Sequence, residues 1–165
     1  MMQWENGMRH IFLMLLLGST FALGAEQRDV NEVEMVDADD PLMNQAIEHA
    51  RATLDEFLSL AAHPPAGASN FKLKVIVRDK SRTEHFWVTP FRISSNAFSG
   101  TLANDPKVVT NVKGGQRIRF TREDVSDWGY EKDGHQIGSF TVCVLFKKMP
   151  LDEAAYYRKN YGFDC

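Results

Sequence analysis

Few side chains in this sequence combine the type and the spacing that catalysis requires. The sharpest candidate is a cysteine nucleophile, Cys143, activated by His85 or His135 as the base. A cysteine reacts as the thiolate, and Cys143 stands between Val142 and Val144, where apolar surroundings raise the pKa of a thiol. The sequence therefore favours a structural role for this cysteine.

An acidic pair offers a second possible chemistry. Asp124 and Asp127 are three residues apart, so on a helical turn they would share a face and act as a general acid and base or bind a cation. The competing interpretation is that Asp124 or Ser126 caps a turn while Asp127 accepts hydrogen bonds from backbone N–H groups. We favour this structural interpretation. The five histidines form no metal-binding pair at helical spacing, so we expect no metal site and no cofactor.

The N-terminus has the layout of a secretory signal peptide. Arg9 and His10 precede an uncharged apolar run, residues 11–25, which is shorter than the roughly 20 residues that a membrane-spanning helix needs. Small residues allow cleavage after Gly24 or Ala25. We expect residues 1–25 to be removed and the mature protein to be periplasmic or secreted, without stable membrane insertion. A retained anchor is the alternative.

Charge is distributed unevenly along the 165 residues. The chain holds 19 Lys+Arg and 22 Asp+Glu, a net charge of -3, which argues against binding to nucleic acid. Residues 26–40 contain seven acidic residues against a lone Arg28 and show little hydrophobic periodicity. This segment is predicted to be a flexible acidic leader that suits a basic partner.

A single α+β domain is predicted over residues 41–165. Asp40 followed by Pro41 is typical of a helix start, and apolar residues recur at helical spacing as far as Ala62. Pro150 opens a short last helix with Gly162 just beyond its end. The fold class that we expect is an N-terminal amphipathic helix and a short C-terminal helix packed on a mostly antiparallel curved sheet or partial barrel.

The segment between these helices has the two-residue period of β-strands. Residues 71–78 alternate apolar and polar side chains, and Lys132-Asp133-Gly134 is typical of a hairpin turn. Further strands are predicted at 83–91, 97–102, 108–109, 116–120 and 128–131. The apolar run 140–146 is either a central strand or a buried helix.

A pattern of short motifs runs through the second half of the chain. In order, it consists of Phe98-x-Gly100, Asn104-x-Pro106, Gly115, Asp127-Trp128, Gly134 and Gly138-x-x-Thr141. This pattern resembles the YegJ-like family, known as domain of unknown function 2314, over roughly residues 40–160. The resemblance implies a small exported domain, and it carries no catalytic residue or ligand onto this chain.

Two classes of function remain open. The first is a non-catalytic module of the bacterial cell envelope that binds a protein or small-molecule partner, with aromatic residues on a sheet face or at a barrel mouth. Its candidate binding residues are Trp87, Asp127, Trp128 and Thr141, with Phe86 and Phe91 as further aromatic candidates. The second is a small periplasmic hydrolase-like enzyme that uses Asp124, Asp127 or Cys143.

The two cysteines predict one further feature of an exported protein. Cys143 and Cys165 are 22 residues apart and can form a disulfide in an oxidising compartment; the alternative is a buried free thiol and a frayed terminal one. We also expect Trp128→Ala to be strongly destabilising, and Asp127→Asn to be milder because asparagine keeps the size and most of the hydrogen bonding.

Overall fold

The computed structural model describes residues 40–94 and 97–165; the predicted signal peptide and all of the predicted leader except Asp40 lie outside these residues. This part of the chain is an α+β fold. Its elements are α1 (Pro41–Ala52), α2 (Leu54–Ala62), β1 (Ala68–Asp79), β2 (Arg82–Ser94), β3 (Ala97–Leu102), β4 (Arg117–Phe120), β5 (Val125–Lys132), β6 (His135–Gly138), α3 (Phe140–Phe146) and α4 (Leu151–Tyr161).

The six strands form one antiparallel sheet in the order β4-β3-β2-β1-β5-β6. The sheet has two edges, β4 and β6, and does not close into a barrel. Consecutive strands pair through hairpins on one side of β1, and β5 returns to its other side. The charged side chains of β4 therefore lie on the same sheet as those of β1, three strands away.

The helical segment after Asp40 is divided in two. The Asp40 side chain accepts hydrogen bonds from the backbone N–H groups of Leu42 and Met43 at 2.8 and 2.9 Å, with Pro41 in the first turn, as the sequence signal predicts. The single helix expected as far as Ala62 is interrupted at Thr53, which separates α1 from α2. The Thr53 hydroxyl donates to the carbonyl of His49 at 2.8 Å.

Helices α1 and α2 pack on one face of the sheet. The core between them contains Phe57 of α2, Leu73 and Val75 of β1, Phe86 of β2 and Trp128 of β5. Because side chains alternate along a strand, the residues between these core positions point to the opposite face, which we call the polar face.

The apolar run 140–146 is helix α3, which resolves the alternative left open by the periodicity. Helix α4 packs on α3 through a second small cluster of Phe146, Ala154 and Tyr157. It ends at Gly162 in the left-handed conformation, with φ of 73°. No helix within the described residues is long and apolar enough to cross a membrane.

The short strand predicted at Val108 and Val109 does not form. The backbone N–H groups of Lys107, Val108 and Val109 instead donate to the buried carboxylate of Glu84 at 2.8 to 3.0 Å. Because these donors are used by a side chain, the segment is a loop anchored on the core rather than a strand of the sheet.

Candidate functional site

The carboxylate of Asp127 is fully buried and accepts four hydrogen bonds. Its Oδ1 accepts from the backbone N–H groups of Trp128 at 2.8 Å and Phe140 at 3.2 Å. Its Oδ2 accepts from the backbone N–H of Thr141 at 2.8 Å and from the Thr141 hydroxyl at 2.6 Å. Two of these N–H groups belong to the first turn of α3, so Asp127 caps this helix from the adjacent strand.

Lys74 extends this network onto the polar face. Its Nζ donates to the Oγ1 of Thr141 at 3.0 Å, and that hydroxyl donates in turn to Asp127. Burial lowers the pKa of Lys74 and raises the pKa of the Asp127 carboxyl, while the charge of Lys74 and the hydrogen bonds to Asp127 oppose the second effect. A carboxylate has about four acceptor positions, and all four are occupied, so this carboxylate is positioned to hold the fold.

Asp124, the other member of the predicted acidic pair, serves a different element. Its Oδ2 accepts hydrogen bonds from the backbone N–H and the hydroxyl of Thr121, closing a short 3₁₀ turn at Arg122–Asp124. Its Oδ1 pairs with Arg78 at 2.9 Å. The two carboxylates thus bind separate structural partners, and within the described residues no group of three or more His, Cys, Asp or Glu side chains is arranged to hold a metal ion.

Cys143 and the predicted base candidates are also held in separate contacts. Cys143 is joined to Cys165 by a disulfide, with the two Cα atoms 5.4 Å apart, so it carries no thiol in this structure. The Nδ1 of His135 lies 3.0 Å from the carboxylate of Asp164. His85 makes its contact with Ser126.

The predicted aromatic binding residues lie on opposite sides of the sheet. Trp128 is 7% exposed, stacks on Phe57 with ring centroids 5.0 Å apart, and donates its indole N–H to the Ala50 carbonyl at 3.0 Å. Phe86, whose side chain is fully buried, lies on the same core face, and Phe91 stacks against Phe57 from that side. Of these aromatic candidates only Trp87 lies on the polar face, because alternation places it opposite Phe86; the expectation of one shared aromatic surface is therefore wrong.

The Trp87 ring contacts two lysines of the neighbouring strand. The ammonium groups of Lys72 and Lys74 stand 4.9 and 5.5 Å from its ring centroid, within the range of cation–π interaction. Lys72 also donates to the Oε1 of Gln136 at 3.1 Å, and burial lowers its pKa. The ring and the two half-buried lysines form a compact cationic patch at the centre of the polar face.

Three exposed arginines extend this positive charge towards the β4 edge. Ser99 of β3 pairs in register with Arg92 of β2 and with Arg119 of β4, and its hydroxyl accepts a hydrogen bond from Arg117 at 3.2 Å. Residues directly opposite one another in a sheet present their side chains on the same face. We call the set of Lys72, Lys74, Arg92, Arg117 and Arg119 the basic band. Within the described residues, none of its five cations lies within salt-bridge distance of a carboxylate.

His85 borders the basic band and is held as a neutral ring. Its Nδ1 lies 2.9 Å from the Oγ of Ser126, which is fully buried at a β-bulge of β5 and contacts the Lys74 carbonyl at 3.3 Å. Burial, together with the charges of Lys74, Arg78 and Arg51, lowers the pKa of His85 to about 4. The buried hydroxyl is inaccessible as a nucleophile, so this pair anchors the strands.

The basic band is the feature that the sequence interpretation missed. A signal was present, because Lys72 and Lys74, like Arg117 and Arg119, stand two residues apart in predicted strands and must share a face. The sequence does not predict the register between the strands, which decides whether these two pairs share a face. The net charge of -3 is a sum over the whole chain and does not indicate a local excess of positive charge.

At two of the motif glycines the structure leaves no room for a side chain. Gly138 has a φ of 79°, and a Cβ there would collide with the backbone and ring of Trp128. A Cβ at Gly100 would collide with Val88, next to the bulge between β2 and β3. Together with the contacts of Asp127, Trp128 and Thr141, they place much of the motif pattern in the scaffold.

Comparison with known proteins agrees with the motif pattern. Residues 40–165 match the family model described as "Uncharacterized protein conserved in bacteria (DUF2314)". The chain is 36% identical over 143 residues to the uncharacterized protein YegJ of Escherichia coli K12, a match that covers 86% of this chain and 92% of that protein. It is 27% identical over 135 residues to a putative ankyrin repeat protein of Neisseria meningitidis serogroup B, covering 77% of this chain and 53% of that protein. No solved structure matches the chain.

Proposed function

We propose that this chain, which belongs to the YegJ-like DUF2314 family of bacteria, is an exported, non-catalytic binding module that holds a partner of the cell envelope on its polar face. The observation that carries this proposal is the basic band around Trp87. Five cations share one face, and none of them forms a salt bridge with a carboxylate among the described residues. Asp127 and Glu131 act electrostatically on the two lysines, whereas an anionic surface of a partner would supply countercharge to the three exposed arginines.

The contacts of the candidate reacting groups support a binding role over the hydrolase alternative. Asp127 has its acceptor positions filled by backbone and hydroxyl donors, Asp124 closes a turn, and Cys143 is bonded to Cys165. A general acid or base needs a proton-transfer position that a substrate can reach, and a cysteine nucleophile needs a free thiolate. The relative with the ankyrin-repeat name also supports a binding role, since repeat proteins present extended binding surfaces.

Export rests on the order of Arg9, His10 and the apolar run 11–25. N-terminal sequencing of the protein from the envelope fraction tests it. We expect a mature terminus at Ala25 or Glu26. An intact Met1, or a protein retained in washed membranes, would contradict export as a soluble protein.

The binding role is tested by capture with matched charge variants. Tagged mature protein is incubated with envelope extract alongside the face variant Arg92→Glu/Arg117→Glu/Arg119→Glu. The control is a second triple variant, Lys80→Glu/Lys113→Glu/Lys159→Glu, which makes the same charge change at exposed positions outside the strands of the sheet.

We expect the parent and the control variant to retain the same partner and the face variant to lose it. Added salt should also weaken retention, because exposed charges are screened beyond about 8 Å at physiological ionic strength. If the face variant retained every protein that the parent retains, the polar face would not be the binding surface.

A further inference from the structure

The two edges of the sheet differ in what covers them. At the β6 edge the C-terminal segment pairs with the strand: the backbone N–H of Gln136 donates to the carbonyl of Gly162 at 2.9 Å, and Phe163 forms a parallel bridge with Gln136. The disulfide from Cys165 to Cys143 fixes this segment to α3. At the β4 edge, no residue of the described part of the chain pairs with the outer side of the strand. Strand β4 is therefore the edge that is open to a further strand.

The backbone groups that face this open edge belong to two arginines of the basic band. In an antiparallel pair, the backbone groups of alternate residues point towards the neighbouring strand. The N–H of Leu102 in β3 donates to the carbonyl of Gln116, the residue before β4, at 3.0 Å. Alternation from Gln116 directs the backbone N–H and C=O groups of Arg117 and Arg119 away from β3. These residues thus offer hydrogen bonds at the edge and cationic side chains on the polar face.

Alternation along β4 also specifies the side chains that a neighbouring strand should carry. Arg117 and Arg119 are exposed on the polar face. Phe120 is buried on the core face, and Ile118 packs half-buried against the same core. Residues directly opposite one another in a sheet share a face, so one set of alternate side chains on the added strand lies beside the arginines and the other set beside Ile118. Carboxylates suit the first set, and apolar side chains suit the second.

A second copy of this chain is a poor match for the same edge. Pairing of β4 with another β4 would set arginine against arginine on the polar face. Like charges directly opposite each other destabilise a sheet, and charged residues on edge strands protect against such self-pairing. A strand with carboxylates at these positions turns the repulsion into attraction.

We propose that the envelope partner binds by adding an extended segment to β4, and that this segment carries carboxylates at alternate positions with apolar side chains between them. Its backbone hydrogen-bonds to Arg117 and Arg119, and its carboxylates pair with the arginine side chains. This inference rests on the proposed function, because it specifies how the partner occupies the polar face.

The experiment uses the full mature chain and two fluorescein-labelled peptides of equal composition and charge. In the alternating peptide, glutamate and valine take turns over seven residues; in the grouped peptide, all glutamates precede all valines. Fluorescence anisotropy at low ionic strength measures binding. Amide hydrogen exchange followed by NMR reports directly on the backbone N–H groups of Arg117 and Arg119.

Two variants separate the backbone contact from the charge contact. Arg119→Pro removes the N–H group at the open edge, and proline is tolerated on edge strands where that group faces solvent. Arg119→Ala is the matched control, because it removes the same charge and keeps the N–H. The thermal midpoint shows whether each variant is folded, and the exchange measurement on the parent decides the proposal even if Arg119→Pro is unstable.

We expect the alternating peptide to bind about tenfold more tightly than the grouped peptide, because its pattern matches both faces of β4. It should also slow amide exchange at Arg117 and Arg119. Arg119→Pro should bind it about tenfold more weakly than Arg119→Ala, because the proline has lost an edge hydrogen bond. The face variant defined above should lose the binding.

The opposing results distinguish this proposal from the proposed function. If the two peptides bound equally, or neither bound, and exchange at Arg117 and Arg119 stayed unchanged, strand addition would be refuted; the polar face would remain the binding surface as long as the face variant lost its envelope partner. If the face variant bound the alternating peptide as the parent does, both proposals would fail. Slow exchange of both amides without peptide, in a protein that sediments as a dimer, would make a second copy the occupant and overturn the proposal.

Discussion

Asp127→Asn tests how the scaffold behind the polar face is held together. The sequence alone suggested a mild effect, because asparagine keeps the size of aspartate. The structure indicates a larger one, since Asp127 accepts four hydrogen bonds and an amide offers only one oxygen to accept them. Whichever way the amide is oriented, its NH₂ group faces two donors.

The less costly orientation places the NH₂ group at the Oδ2 position. The Thr141 hydroxyl can rotate to accept from it, but the Thr141 backbone N–H then loses its acceptor and Lys74 loses the buried negative charge nearby. A buried donor left without a partner costs about 1 to 3 kcal/mol. Because Lys74 also loses its countercharge, we expect Asp127→Asn to lower the free energy of unfolding by roughly 2 to 4 kcal/mol in total.

Urea unfolding followed by tryptophan fluorescence and circular dichroism measures this change. Asp133→Asn is the matched control, because Asp133 is exposed in the β5–β6 turn at a φ of 51°, where asparagine is well tolerated. That variant should stay within about 0.5 kcal/mol of the parent. If Asp127→Asn were equally stable, the carboxyl would already carry a proton in the native state, and its role as a fourfold acceptor would be refuted.

Three further predictions follow from the same structure. Trp128→Ala should lower the free energy of unfolding by about 3 to 5 kcal/mol, because it removes a buried ring stacked on Phe57; a thermal midpoint equal to that of the parent would contradict this core role. The pKa of His85 falls from 6.5 to about 4 on folding, so the unfolded chain binds more protons than the folded chain between these pH values. As the pH falls through this range, the parent should therefore lose up to about 3 kcal/mol more of its free energy of unfolding than His85→Gln, measured by urea titration. Parallel pH profiles of the two proteins would contradict this prediction. Intact mass with alkylation should find no free thiol until the Cys143–Cys165 disulfide is reduced, and reduction should cost roughly 3 kcal/mol for the 22-residue loop; two free thiols in fresh protein would refute the bond.

The parts of the fold that sequence predicts are those fixed by local signals. The Asp40-Pro41 start of α1, the alternation along β1, and the left-handed glycine after α4 each depend on residues within a few positions of one another. The helical state of residues 140–146 depends instead on Asp127 of strand β5. This residue precedes the first residue of α3 by 13 positions, and its carboxylate accepts hydrogen bonds from the first turn of the helix. No local window contains that interaction.

The binding surface was hidden for a similar reason. Strand alternation shows that Lys72 and Lys74 share a face of β1. It does not show that Arg92 of the neighbouring strand β2, or Arg119 of β4 three strands away, lies on the same face. That alignment follows from the register on both sides of Ser99 and from the bulge between Val88 and Phe91. The sequence likewise does not distinguish the environments of Trp87 and Trp128, whereas the structure places them on opposite faces of the sheet.

Site-specific photocrosslinking in living cells tests the central claim, that the polar face is the binding surface, most directly. A photoreactive amino acid replaces Ser99, at the centre of the arginine row, or Glu48, which is exposed on α1 on the opposite side of the sheet. We expect crosslinked products of higher mass from position 99, lost when Arg92, Arg117 and Arg119 are changed to glutamate, and none from position 48. Crosslinked products from position 48 alone would place the partner on the helical side and contradict the account.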